Sequence, residues 1–368
     1  MPRIIDTLDH AVGRTPDFVD TGVDYLRQVP PPDKLVGEDG TYNAGWFTHW
    51  DGQINLEASS AFDMALHRFF HLTLDAGRHY LVWNIADFGR AGNTALLIAD
   101  KEGGTFEHKS LAYPLVRNRI TASPDYRLFE DPASGSFIRI SPDDRHFAFS
   151  IHAESLHLSG EGEHALGPPF VQCTRFHRGR GSLQWYGNYR LTHGTLVMGK
   201  QVIALPPGSL GTYDRTLGHQ RGLQNWNWIA ASGMARCVQT GERAELGLQL
   251  HIDRDGAKPR VDSLKQMAWI DGKLYKLPKV SFRYELLDDD HTSGPWKIGT
   301  PGQSDHGWGW VDLTLTPRFH RREERHQVII DADFNQYYGE LSGKVAIAGR
   351  VWELERFFAC AEDSRLQL

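Results

Sequence analysis

The chain has 368 residues, a net charge of −6 from 40 Lys+Arg against 46 Asp+Glu, and 40% hydrophobic content. This is globular composition, large enough to bury a core without staples, and it excludes a disordered tail or a basic nucleic-acid footprint. No apolar run approaches the roughly 20 residues a spanning helix needs, and Cys173, Cys237 and Cys360 are too few and too scattered for a disulfide framework or a metal knuckle.

Met1-Pro-Arg-Ile-Ile-Asp lacks a basic segment followed by an apolar one, so no secretory signal is expected and the chain reads as cytoplasmic. Weak helical periodicity marks 17–26 and 59–67 as short helices. From there the texture changes to short strands, first at 69–74, 80–86 and 95–100. Pro168-Pro169 and Pro206-Pro207-Gly208 are the plausible boundary marks, with a tight hairpin over 196–205 between them. Leu246, Leu248, Leu250 and Ile252 alternate with polar residues, giving a strand with one apolar face. Over 267–277, Asp271-Gly272 between two strand-like runs predicts a hairpin, because a type I′ turn needs positive φ at both central residues. Val311, Leu313 and Leu315 predict a strand that Pro317 ends. A last strand pair is expected over 343–358, broken at Gly349-Arg350.

With 37 Gly and 18 Pro falling between strands, the spacing predicts an all-β chain of barrels or sandwiches with few short helices. Trp83-Asn84-Ile85-Ala86 echoes Trp226-Asn227-Trp228-Ile229-Ala230 about half a chain later, as a duplicated β-domain would. The expected division is an N-terminal extension over 1–45, a first β-domain over 46–192 and a second over 193–368.

An ordered set of motifs carries a family resemblance. It comprises Met198-Gly199, Tyr213-Asp214-Arg215, Trp226-Asn227-Trp228, the hairpin from Asp271-Gly272 to Val280-Ser281-Phe282, Pro295-Trp296, Val311 to Pro317, and Gln336-Tyr337-Tyr338-Gly339 with Gly343. In this the chain resembles the family called domain of unknown function 2804, over roughly residues 65–360. It departs from the family pattern at Lys265-Gln266 and at 303–310. That family is similar to a wider lipocalin-like group with carotenoid 1,2-hydratases, tocopherol cyclase and lipocalin-type Diels-Alderases. The resemblance implies two lipocalin-like β-domains around an apolar, aromatic-lined cavity, and alkene protonation or templated cyclisation of a terpenoid or polyketide.

Hydrating or isomerising an alkene needs an acid in a dry site, and a carboxyl raised by burial supplies one. Tyr213-Asp214-Arg215 with His219 is the densest reactive cluster. Asp214 reads as the acid, Tyr213 or His219 as the proton relay, and Arg215 as the group orienting the carboxylate. Trp226 and Trp228, two apart, share a strand face and can shield a cation. Trp296 and Trp310 would belong to a lid loop with Trp308, bracketed by His291 and His306, and Trp83 and Tyr337 would line the pocket. Each has a structural reading too: an Asp-Arg pair bridges strands, barrel tryptophans pack, and a loop is simply ordered. His67 and His71 are four apart, but on a strand that separates them by about 13 Å, so no metal is expected.

The resulting expectation is a cofactor-independent hydratase, isomerase or cyclase for an apolar isoprenoid or lipid-like substrate. A carrier that binds such a molecule without chemistry is the alternative, and a metal-dependent hydrolase stands third. The expected partner is a hydrophobic small molecule, with no nucleic acid and no transmembrane segment; a homodimer stays open.

Overall fold

The computed structural model describes residues 3–6, 28–61, 66–88, 91–104, 106–114, 121–122, 127–132, 134–141, 143–153, 156–220, 223–254, 265–286, 294–302, 309–327 and 330–367. Nearly all lie in antiparallel strands. Among the described residues the one helical element is a 3-10 turn, Leu56–Ala58. The fold is all-β, as the alternating stripes predicted, and consistent with two lipocalin-like domains.

The chain divides into two compact units, Val29–Gln220 and Met1–Gln28 with Arg221–Leu368. This differs from the expected division at 193, which falls inside the continuous strand Gly181–Met198. Residues 29–45 are no extension either, because Leu35, Val36 and Tyr42 are buried in the core of the first unit. Pro168 and Pro169 lie in a bulge of the strand Leu156–Arg175, and Pro206 to Gly208 form a turn, so neither marks a boundary.

In the unit Val29–Gln220 the sheet runs from Phe106–Pro114 through Ala91–Asp100, His79–Asp87, Leu66–Ala76, Leu210–His219, Gly181–Met198, Leu156–Arg175 and His146–Ala153 to shorter strands. Phe106–Pro114 returns against His146–Ala153, so the curl is nearly closed. Phe70, Leu72, Leu74, Trp83, Ile85, Trp185, Tyr189, Tyr213 and Leu217 fill its interior. The strand Leu66–Ala76 takes up the end of the helix expected over 59–67. The helix expected over 17–26 lies outside the described residues.

The other unit is a second antiparallel sheet, beginning with Arg3–Asp6 against Ser281–Leu286 and ending with the hairpin Gln266–Ile270 and Lys273–Lys276. Asp271 (φ 52°) and Gly272 (φ 73°) make the expected turn. Leu246, Leu248, Leu250 and Ile252 face the core with Val311, Leu313 and Leu315. Pro317 does not end its strand, which continues from Gly309 to Gln327 against Ile330–Ile347. A register shift between Pro317 and Phe319 absorbs the proline, since a bulge leaves one residue outside the ladder. Arg350–Glu355 and Phe357–Gln367 behave as one strand interrupted at Arg356 (φ 55°), both inserted between Ile330–Ile347 and Leu223–Cys237.

Candidate active site

In the unit containing Arg221–Leu368, Leu223–Cys237 and Phe357–Gln367 turn Ile229, Ala231, Ala359 and Ala361 to the core, so pleating sends Trp226, Trp228, Cys360 and Glu362 to the other face. Cross-strand register there makes a row of five side chains on five adjacent strands: Arg321, Gln336, Glu362, Trp228 and His251. The bulge at Pro317 makes the row possible. Without the extra residue, Arg321 would keep the phase of Val311, Leu313 and Leu315 and point into the apolar core. The bulge turns it to the polar face.

Glu362 is 7% exposed, and both carboxyl oxygens are held. Gln336 Nε2 donates to Oε1 at 2.7 Å and Trp226 Nε1 donates to Oε2 at 2.8 Å. The Gln336 amide cannot reverse, because its Oε1 accepts from Arg321 at 2.9 Å and from the Tyr338 hydroxyl at 2.6 Å. Arg321 also reaches Glu323 at 2.5 Å. Burial pushes the Glu362 carboxyl above the ordinary glutamate value of 4.5; the bonds from Trp226 and Gln336 and the charge of Arg321 pull the other way and lose. The same burial, with the charge of Glu362, raises the neighbouring Cys360 thiol. Trp226 and Phe334, with ring centroids 6.3 Å apart, are half-buried and form the open edge of the group. At the far end of the row His251 Nε2 lies 3.4 Å from Asp253, which Lys265 approaches at 3.9 Å.

Trp226 and Trp228 do share a face, as the sequence predicts, and that face carries the buried acid. Tyr337 and Trp296 are on the core side of the same unit, rings 5.0 Å apart, with Trp296 stacked on Tyr284 at 3.9 Å. Trp296 is therefore core wall and not lid. Trp310 is half-buried on the strand Gly309–Gln327; His291, His306 and Trp308 lie outside the described residues. Sequence reasoning missed Glu362. The signal was an acid at the end of the apolar run Phe357 to Ala361, in phase with Phe358 and Cys360.

The other predicted residues belong to the unit Val29–Gln220, and the pleat divides them. Tyr213, Arg215 and His219 are buried and in phase with the core residue Leu217, whereas the half-buried Asp214 is on the opposite face, where Thr216 Oγ1 donates to it at 3.3 Å. Tyr213 and His219 thus lie on the face opposite Asp214, so the strand does not bring the expected relay together. The Arg215 guanidinium sits 3.9 Å over the Trp185 ring, and His219 Nδ1 is bonded to the Tyr42 hydroxyl at 2.8 Å. Burial raises the Tyr213 phenol. Trp83 is packed in the core, whereas Trp226 faces away from its own, so the two echoed tryptophans are not equivalent in facing.

Asp214 has its own row, in register between Tyr186 and His71, with Asn84 beyond His71. His71 is 1% exposed and stacks with Phe69 at 6.1 Å. His67, on the same strand, is pushed down to about 3, first by burial and then by Arg180 and His219. On the core side His164 stacks with Phe147 at 4.9 Å and meets Tyr213 edge-on at 5.3 Å; burial pushes it down to about 4. Among the described residues neither unit by itself gathers three metal-ligating groups.

A family model described as domain of unknown function (DUF2804) matches residues 27–368. No curated protein matches the chain in sequence. Among solved structures, the crystal structure of CghA is similar at 11% identity, covering 81% of this chain and 87% of that one, with a TM-score of 0.49. Kievitone hydratase from Nectria haematococca is similar at 12% identity, covering 82% and 88%, with a TM-score of 0.46. Likeness at this level supports no inference about activity. Among the described residues no helix is long and apolar enough to cross a membrane.

Proposed function

The chain belongs to the DUF2804 family, and from its own residues we propose that it is a cofactor-independent enzyme protonating an alkene of an apolar, isoprenoid or lipid-like substrate. The observation that carries this reading is the buried Glu362 carboxyl, raised by desolvation and flanked by Trp226 and Trp228. The Glu362 O–H proton passes to an alkene carbon and the π electrons form the new C–H bond. The carbocation lies against the indole faces, where cation–π attraction contributes about 0.5–2 kcal/mol. It is resolved by water addition with loss of a proton, by loss of a neighbouring C–H proton, or by attack of a second alkene, whose new cation then loses a C–H proton. The released proton returns to the Glu362 carboxylate or goes to His251, which Asp253 orients. These outcomes are hydration, isomerisation and cyclisation.

A second candidate acid is Asp214, in the row with His71 and Tyr186. The test is deuterium incorporation at carbon when the full chain is incubated in D2O with geraniol or squalene, read by mass spectrometry. Incorporation that falls about 10²–10⁴-fold in Glu362→Gln and persists in Asp214→Asn supports the assignment. The reverse pattern transfers the acid to Asp214. Binding of both probes without incorporation supports the carrier reading instead.

A further inference from the structure

In the unit Val29–Gln220, the sheet face that carries Asp214 is polar, yet it is buried. Asn188 is 1% exposed, Asn84 7%, Gln172 2%, Tyr186 0% and Thr212 0%. Such a face must satisfy its polar atoms, because a buried donor or acceptor without a partner costs stability. Part of it is satisfied internally: Thr73 bonds Thr212 at 2.7 Å, Gln172 Nε2 donates to Thr174 at 3.1 Å, and Gln184 Nε2 donates to Thr216 at 3.3 Å. Among the described residues, both amide atoms of Asn188 and the carbonyl oxygens of Asn84, Gln172 and Gln184 have no hydrogen-bond partner.

Register places these atoms around one area. Asn188 and Gln184 flank Tyr186 on the strand Gly181–Met198; Tyr186, Asp214, His71 and Asn84 then follow on four adjacent strands. Three strand spacings separate Tyr186 from Asn84, about 14 Å. Gln172 lies opposite Gln184, and beside them Trp46, Phe170 and Tyr186 form an aromatic edge, with successive ring centroids 5.5 and 6.2 Å apart. Of the five unpartnered atoms, four are acceptors and one is a donor.

We infer that this face is a binding site for an apolar molecule carrying hydroxyl groups, whose O–H donors engage the amide oxygens of Asn84, Gln184 and Asn188 while its body lies against Phe170 and Tyr186. The chemistry of the orphaned atoms sets the class: a pure hydrocarbon would leave every amide unsatisfied, and a carboxylate would set its own acceptors against theirs.

The test begins without ligand. If the amides are held ready for a partner, Asn188→Leu removes two unsatisfied atoms while keeping the heavy-atom count and branching, and stabilises the empty protein, raising its melting midpoint by about 2–4 °C. In the second arm 1,10-decanediol and 1-decanol are titrated into the full chain by calorimetry. The diol binds at least about tenfold more tightly, as one good hydrogen bond to a buried group allows, and Asn188→Leu and Asn84→Leu each erase that preference. A fall in the midpoint of Asn188→Leu would show that ordered water alone satisfies the amide and would overturn the inference. Equal binding of diol and alcohol, or a preference that survives both substitutions, would overturn it as well.

Discussion

Replacing Glu362 by Gln isolates the effect of burying an ionisable carboxyl. The folded chain holds the Glu362 proton above the ordinary value of 4.5, and the unfolded chain releases it there. Below 4.5 both states are protonated and the wild type keeps all its stability. As pH rises, the unfolded state sheds a proton that the folded state retains, so stability falls by up to about 1.4 kcal/mol for each pH unit crossed. The fall stops once pH passes the folded-state midpoint. Gln cannot ionise, but its NH2 must face either the Trp226 or the Gln336 donor, so it loses one bond worth about 1 kcal/mol at every pH. Urea midpoints from pH 4 to 8 should show wild type ahead of Glu362→Gln at the acid end, with the advantage shrinking as pH rises above 4.5. An advantage that is constant, or that grows with pH, would mean that Trp226, Gln336 and Arg321 outweigh desolvation and that Glu362 is not a raised acid.

Three further outcomes are expected. Gln336→Leu removes the bonds to Glu362, Arg321 and the Tyr338 hydroxyl and should cost about 3 kcal/mol or more in urea unfolding, well beyond a surface change. His164, pushed down to about 4 by burial, contributes stability that is present above its ordinary 6.5 and is lost as pH falls toward 4. His164→Phe should therefore flatten the acid limb of the stability profile by up to about 3 kcal/mol. Gly187→Ala would place a Cβ 2.6 Å from the Tyr213 ring and hydroxyl, and should cost about 1–3 kcal/mol while shifting the near-ultraviolet tyrosine signal.

Much of this was legible where one strand settles the matter alone. The stripe from Leu246 to Ile252 faces a core because alternation permits nothing else. Asp271-Gly272 turns because both residues accept positive φ, and Trp226 and Trp228 share a face because they are two apart. The same rule, applied to Asp214, shows why the cluster with Tyr213, Arg215 and His219 divides: neighbours on a strand point apart. What was not legible depends on register with distant strands. Pro317 ends a strand in isolation, yet Ile330–Ile347 tolerates it through a bulge that also re-aims Arg321. Glu362 stands in a buried row only because Trp228, Arg321 and Gln336 arrive beside it in register, and local pattern carries no information on those pairings. The division at Gln220 was hidden for the same reason, since it rests on Leu210–His219 pairing with Leu66–Ala76 while Leu223–Cys237 pairs with Arg243–Asp253 and Phe357–Gln367.

Burial of Glu362 is what we propose makes it a proton donor. Infrared titration of the carboxylic-acid carbonyl stretch, taken as the difference between wild type and Glu362→Gln, reads that proton directly. A band assigned to Glu362 should persist above pH 4.5 before it is lost. A band that disappears at or below 4.5 would show an ionised carboxylate in a structural network, and would contradict the proposed chemistry.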